Sequence, residues 1–426
     1  MKSRLFAAVF LVFTLLSPAA RALEPRITAQ QLQADIAFLR DTLARTHPDL
    51  RFSTSAQALN LALDSAGQGL APDMTRDEAW RHLARLNPVF ADAHLFVGYP
   101  DWRADSAAHL ASGASLFPYE VDVGADGAVT IRSALGGAPD RRAGARIVSI
   151  NGMDIGLATA AMLARTHGDT PAFRTRLLAQ RWWLFHWKLY GAAARYRLVL
   201  QRGAQQWTVD APGSTSTPAL LRDEADIAGL FRLEILPGSA AVLTVGSFDG
   251  AHQERFLAFT REAFSRIRKE GIATLAIDIS ANAGGDDDMW IDGLMPYLAG
   301  GSYRTASSYT KKVIEANAER GESAGQVISG AIDTWRSPPA DHPLRFKGKL
   351  TVVIGPSTYS SAILFANVIS DFRIGTLAGV GGAARRSQSG GVRKYLLPHS
   401  QLAIWVPRFI LHPPGGEQKE ALLNPD

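Results

Sequence analysis

Leu350-Thr351-Val352-Val353-Ile354-Gly355-Pro356-Ser357-Thr358-Tyr359-Ser360-Ser361-Ala362-Ile363-Leu364-Phe365-Ala366 decides how the C-terminal half of the chain is read. The β-branched run stops at Gly355-Pro356, and Ala362, Phe365 and Ala366 then recur at helical spacing, which predicts a strand, a sharp turn and a helix. Ser360 falls on the turn. A serine there can simply cap the helix, a position Ser and Thr favour. It can also serve as a nucleophile, because a helix N-terminus offers free N–H groups and a positive dipole end to a developing oxyanion.

Working outward, a second segment of the same kind lies upstream. Thr274-Leu275-Ala276-Ile277-Asp278-Ile279 reads as a buried strand, followed by Asn282-Ala283-Gly284-Gly285 and a helix opened by Asp286-Asp287-Asp288. Glycines at such a turn let backbone N–H groups face a cleft, or merely allow a tight turn. The three aspartates complement the helix dipole, and no ligand spacing accompanies them that would hold a metal. With the strand Ala241–Val245, the amphipathic stretch 253–269, Gly375–Gly379 and closing strands near Leu402–Pro407, the pattern predicts an α/β core of largely parallel strands. Sites in such sheets sit at the carboxyl ends of strands. Both turns occupy that position.

The earlier chain reads differently. Thr28-Ala29-Gln30-Gln31 and Thr75-Arg76-Asp77-Glu78 are capping-box patterns, each followed by apolar residues on one helical face, and a further helix is expected from Ser55 to Asp64. A small helical unit therefore precedes Asp92-Ala93-His94, which stands where helix gives way to strand. From Phe117 short β runs take over, with Asn151-Gly152 as a tight turn. Trp182, Trp183 and Trp187 fit a core better than a ligand platform. Ser308-Tyr309-Thr310-Lys311 matches an S-x-x-K pattern without its companion motifs, so it carries no weight.

Of the 426 residues 46% are hydrophobic and 20% charged, ordinary for a folded protein of two or three domains. Residues 1–22 combine Lys2 and Arg4, an apolar run from Leu5 to Leu16, and Ala20-Arg21-Ala22, the pattern of a secretory signal peptide. A periplasmic or secreted location is expected. Three of the +5 formal charges lie in that segment, leaving about +2, too little to argue for nucleic acid or an anionic membrane. The absence of cysteine excludes disulfides, thiol nucleophiles and thiolate metal sites.

The order of helical unit, Asp92-x-His94, β module, Asn282-x-Gly284-Gly285 turn and Thr358-x-Ser360-Ser361-Ala362 turn resembles the S41 serine peptidases, the C-terminal processing and tricorn-core proteases. Residues 144–152 are similar to the family's PDZ-like segment. The resemblance implies a multi-domain α/β fold with a ClpP/crotonase-like core, divided into a signal peptide (1–22), a helical domain (23–110), a PDZ-like β module with a helical insertion (111–215) and a catalytic core (216–426). It implies Ser360 as nucleophile, with the amide of Ser361 and that of Gly284 or Gly285 as oxyanion hole. Processing proteases of the family use a lysine from the region that here reads Gly381 to Gln388, where no lysine stands, and arginine cannot lose its proton to act as base. The tricorn-like branch uses a histidine that His94 matches, oriented by a glutamate near a terminal Pro-Asp, here Glu420 or else Glu417. The family's serine beside that histidine is Ala93 here, and the arginine of its strand-end turn is Ser280.

These readings give an exported serine endopeptidase that acts on polypeptides, with recognition at a chain end as one option, uses no cofactor or metal, binds no nucleic acid and keeps no stable membrane insertion once the signal segment is removed. The alternative is a non-catalytic carrier of peptides or apolar ligands on the same scaffold.

Overall fold

The computed structural model describes residues 26–416 and 421–426. Residues 1–22, expected to be a signal peptide, and both candidate orienting glutamates, Glu417 and Glu420, lie outside the described residues. The protein is a mixed α/β, multi-domain structure with several sheets. No helix among the described residues is long and apolar enough to cross a membrane.

The C-terminal core is a five-stranded sheet in the order Phe231–Leu236, Ala240–Val245, Thr274–Asp278, Lys349–Ile354, Thr376–Gly379. All pairs are parallel except the first hairpin, which turns at Pro237-Gly238. Val242, Ala276 and Thr351 are in register across the three central strands, as are Leu243, Ile277 and Val352. Helices Gln253–Lys269 and Ser361–Asp371 are the crossovers that parallel pairing requires. The second is apolar on nearly every side because it is sunk in the core: Ser361 to Ile369 are all buried.

The first half builds its own core. Both capping boxes form, at Thr28 with Gln31 and at Thr75 with Glu78, and start helices Ala29–Thr46 and Arg76–Leu83. Proline is tolerated in a first helical turn, and Asn87–Phe90 makes one more turn before Ala91 adopts a left-handed conformation, φ 48°. A six-stranded antiparallel sheet follows, from Tyr119–Val123 to Gln205–Pro212. Trp182 and Trp183 are fully buried between it and the helices, as core residues.

Long-range strand pairing ties the halves together. Phe96–Gly98 pairs with Ala403–Val406, and Ser308–Lys312 pairs with both Val327–Ala331 and Phe409–His412, whose other neighbour is Gln388–Gly390. The polar stretch 304–343 thus contains a hairpin whose first strand is tied into a sheet. Between the two cores runs one short segment: Ala93 packs into the C-terminal core, whereas Leu95 and Val97 pack into the N-terminal one. His94 sits at that seam.

Candidate active site

The two strand-end turns are fastened to each other. Ile279 donates its N–H to the Val353 carbonyl at 3.0 Å, and Tyr359 donates to the Asn282 carbonyl at 3.1 Å. Thr358 Oγ1 donates to the Ile279 carbonyl and accepts from Gly355 N–H, both at 2.9 Å. Asn282, wholly buried, donates through Nδ2 to the Val245 carbonyl at 3.1 Å and accepts from Gly284 N–H at 2.8 Å. These bonds tie the two turns into one rigid unit.

Ser360 tops this unit with φ 54° and ψ −126°, a conformation that costs a non-glycine residue roughly 1–3 kcal/mol. Its side chain does not cap the following helix, which removes the plain capping explanation for a serine there. Its N–H is held by Gln388 Oε1 at 3.1 Å. Gly284 crosses directly beneath it. A Cβ at Gly284 would stand 2.6 Å from Ser360 Cβ and 2.9 Å from Ser361 N, and its φ of 97° already excludes other residues. The Gly284 amide is engaged by Asn282, while those of Gly285 and Ser361 have no acceptor among the described residues. Ser361 instead uses its hydroxyl, which donates to Asp287 Oδ1 at 2.6 Å and accepts from Trp290 Nε1 at 3.0 Å.

His94 reaches the same place from the seam. Asn87 clamps the strand after it, accepting from Val97 N–H and donating to the Val97 and Arg165 carbonyls. Asp92 Oδ1 accepts the His94 N–H at 2.7 Å and so shapes the turn. The imidazole packs on Tyr359, the residue before Ser360, with ring centroids 4.8 Å apart. Its Nδ1 lies 3.1 Å from Ser389 Oγ, which donates to Asp92 Oδ1 at 2.9 Å. No hydrogen bond joins His94 to Ser360. Burial pushes the His94 pKa down to about 4, against the attraction of Asp169, so the ring is neutral near pH 7.

Beneath the imidazole lies a buried acid pair. Tyr359 Oη donates to Asp169 Oδ1 at 2.8 Å, and the Ala93 N–H points at both groups. Arg385 is 3.7 Å from Asp169 in an ion pair and donates to the Ala91 carbonyl at 2.8 Å. Burial raises the carboxyl pKa values of Asp92 and Asp169, which the Arg385 charge opposes.

Of the residues singled out in the sequence, Ser360, Ser361, Gly284, Gly285 and His94 all line one cavity of about 1590 Å³. Ser389, Gln388, Tyr359 and Asp169 were not anticipated. Only their convergence in space distinguishes them from ordinary sheet and loop residues. No cluster of metal-ligating side chains occurs among the described residues.

No curated protein matches the chain. Among solved structures the fold is similar to a mutant of CPAF, 14% identical over 93% of this chain and 92% of that one with a TM-score of 0.66. It is similar as well to mature CPAF complexed with lactacystin, 13% identical over 92% and 93% with a TM-score of 0.62. At that identity the likeness concerns the fold alone. Residues 239–420, which include both fastened turns, match the family model described as Peptidase family S41. The C-terminal part of the chain thus matches a peptidase S41 domain, and the match supports a serine peptidase hydrolase.

Proposed function

We propose that the protein is an exported endopeptidase in which Ser360 is the nucleophile and His94 its general base. The observation that carries this reading is the strained Ser360, mounted over Gly284 at a strand end with its N–H fixed by Gln388, in the same cavity as a neutral imidazole. Ser360 Oγ attacks the scissile carbonyl carbon while His94 Nε2 removes its proton. The oxyanion receives hydrogen bonds from the amides of Gly285 and Ser361. Collapse expels the amine, which takes the proton from His94, and water then hydrolyses the acyl-enzyme by the same path. His94 meets Ser360 through a modest closing of the cleft, since catalytic hydrogen bonds are often long without substrate. Export rests on the segment 1–22, whose pattern is that of a signal peptide.

Incubation with unfolded casein tests the reading. Cleavage by the parent protein and none by Ser360→Ala of equal thermal stability is expected. Equal cleavage by both would remove Ser360 from the mechanism. The missing His94–Ser360 hydrogen bond favours one competitor, a non-catalytic peptide carrier. It predicts peptide binding without any covalent labelling of Ser360 by a fluorophosphonate.

A further inference from the structure

Asp169 sits in the short loop between helices Ile155–Leu163 and Pro171–Gln180, outside residues 239–420, and is 7% exposed. Its carboxylate receives donors from three separate segments. Oδ1 accepts from Tyr359 Oη at 2.8 Å and from the Ala93 N–H at 3.1 Å, and Oδ2 accepts from the Arg385 N–H at 3.0 Å. Tyr359 is the residue before Ser360, and Ala93 the residue before His94. Arg385 opens the stretch that touches both: its carbonyl accepts from Gln388 Nε2 at 2.7 Å, Gln388 Oε1 holds the Ser360 N–H, and Ser389 meets the imidazole. The loop itself is fastened, since Thr170 Oγ1 accepts from the Phe173 N–H, capping the second helix, and donates to the Ala383 carbonyl at 2.7 Å. Phe173 in turn packs on the Tyr359 ring with centroids 5.0 Å apart, the same ring that carries His94 at 4.8 Å.

A buried carboxylate shared by three donors holds them more firmly than a neutral acceptor would, because little water screens it. Asp92 cannot take this part. It belongs to the turn that carries His94, and its contact with the nucleophile turn, through Tyr359 Oη, is 3.5 Å long. A general base works only within reach of its proton, and a misplacement of about 1 Å can cost about 100-fold in rate. We infer that Asp169 is a positioning residue that sets the approach of His94 to Ser360 by gripping the residue before each of them. This rests on Ser360 being the nucleophile and His94 its base. The charge of Asp169 also favours the protonated imidazole, the form that proton transfer from Ser360 creates.

Two substitutions separate this role from one in folding alone. Asp169→Asn keeps the volume and one acceptor but loses the charge, whereas Tyr359→Phe removes only the hydroxyl that Asp169 grips. On casein, Asp169→Asn should lower kcat about 10- to 100-fold and Tyr359→Phe about 10-fold, each with KM within about twofold of the parent. Fluorophosphonate labelling of Ser360 should slow in parallel. In a His94→Ala background neither substitution should slow it further, because the group they position is gone. Should Asp169→Asn fail to fold, Tyr359→Phe carries the test alone. An unchanged kcat in Tyr359→Phe, or a full further loss of labelling in the His94→Ala background, would overturn the positioning role while leaving Ser360 and His94 in theirs. Undiminished labelling in His94→Ala itself would remove the base, and this inference with it, so the two failures stay distinct.

Discussion

Ser389 Oγ lies 3.1 Å from Nδ1 of His94, and that spacing decides which nitrogen of the imidazole is free. A serine hydroxyl has one proton, and here Asp92 Oδ1 receives it at 2.9 Å. With Asp92 ionised, Ser389 accepts from His94, which puts the proton on Nδ1 and leaves the Nε2 lone pair for another donor. In the proposed chemistry Asp92 acts on the imidazole through Ser389.

Loss of that relay is expected to lower kcat without large change in KM. Ser389→Ala should reduce kcat about 10- to 100-fold, and Ser389→Thr should recover much of it. Nitrogen NMR of His94 separates positioning from a merely structural effect: the parent should report an Nδ1–H tautomer and Ser389→Ala a mixture. An unchanged tautomer in Ser389→Ala would discard the relay.

Because burial depresses the His94 pKa to about 4, activity should not follow a free histidine. The base is neutral above its folded pKa and is protonated only below it. The acid limb of kcat/KM is therefore expected near pH 4, with little loss between pH 7 and pH 5.5. An acid limb centred near pH 6.5 would place His94 in a solvated setting and refute the electrostatic picture.

Stability should show a related acid sensitivity at His47, which is 3% exposed, has both ring nitrogens unpartnered, and has its pKa pushed down by burial to about 4. The unfolded chain binds this proton from about pH 6.5 downward while the folded one resists until about pH 4, so folding weakens progressively across that window. In His47→Leu the loss of stability on going from pH 7 to pH 5 should be smaller by about 2 kcal/mol, measured by urea denaturation at both pH values. Parallel losses in the two proteins would contradict the assignment.

At the turn itself, Gly284→Ala should be more damaging than its size implies. The added methyl meets Ser360 Cβ and the Ser361 amide, in a backbone conformation foreign to alanine. A stability loss of about 1–3 kcal/mol and disappearance of Ser360 labelling are expected, by thermal melts and mass spectrometry. Retained labelling would mean that the turn tolerates displacement and that its rigidity is not needed.

Local chemistry explains what could be read beforehand. The apolar run 350–354, the Gly355-Pro356 break and the Asn282–Gly285 turn each carry their own signal, and the capping boxes at Thr28 and Thr75 announced helices that form as expected. Nothing local marks Ser389, on a three-residue strand, or Asp169, in a loop: pairing with Phe409–His412 brings the first to His94, and tertiary packing brings the second to Tyr359. The hairpin within 304–343 carries no local signal for a similar reason. Its strands are polar and half exposed, and its first strand is held by pairing with Phe409–His412 from the far end of the chain. Pairing of Phe96–Gly98 with Ala403–Val406, which sets the strand after His94 in place, is equally non-local.

The most direct measurement is the site and rate of modification by a fluorophosphonate, read by mass spectrometry of the digested protein. The account predicts a single adduct on Ser360, formed at least about a hundredfold more slowly in His94→Ala. An adduct on another residue, or an undiminished rate in His94→Ala, would contradict it.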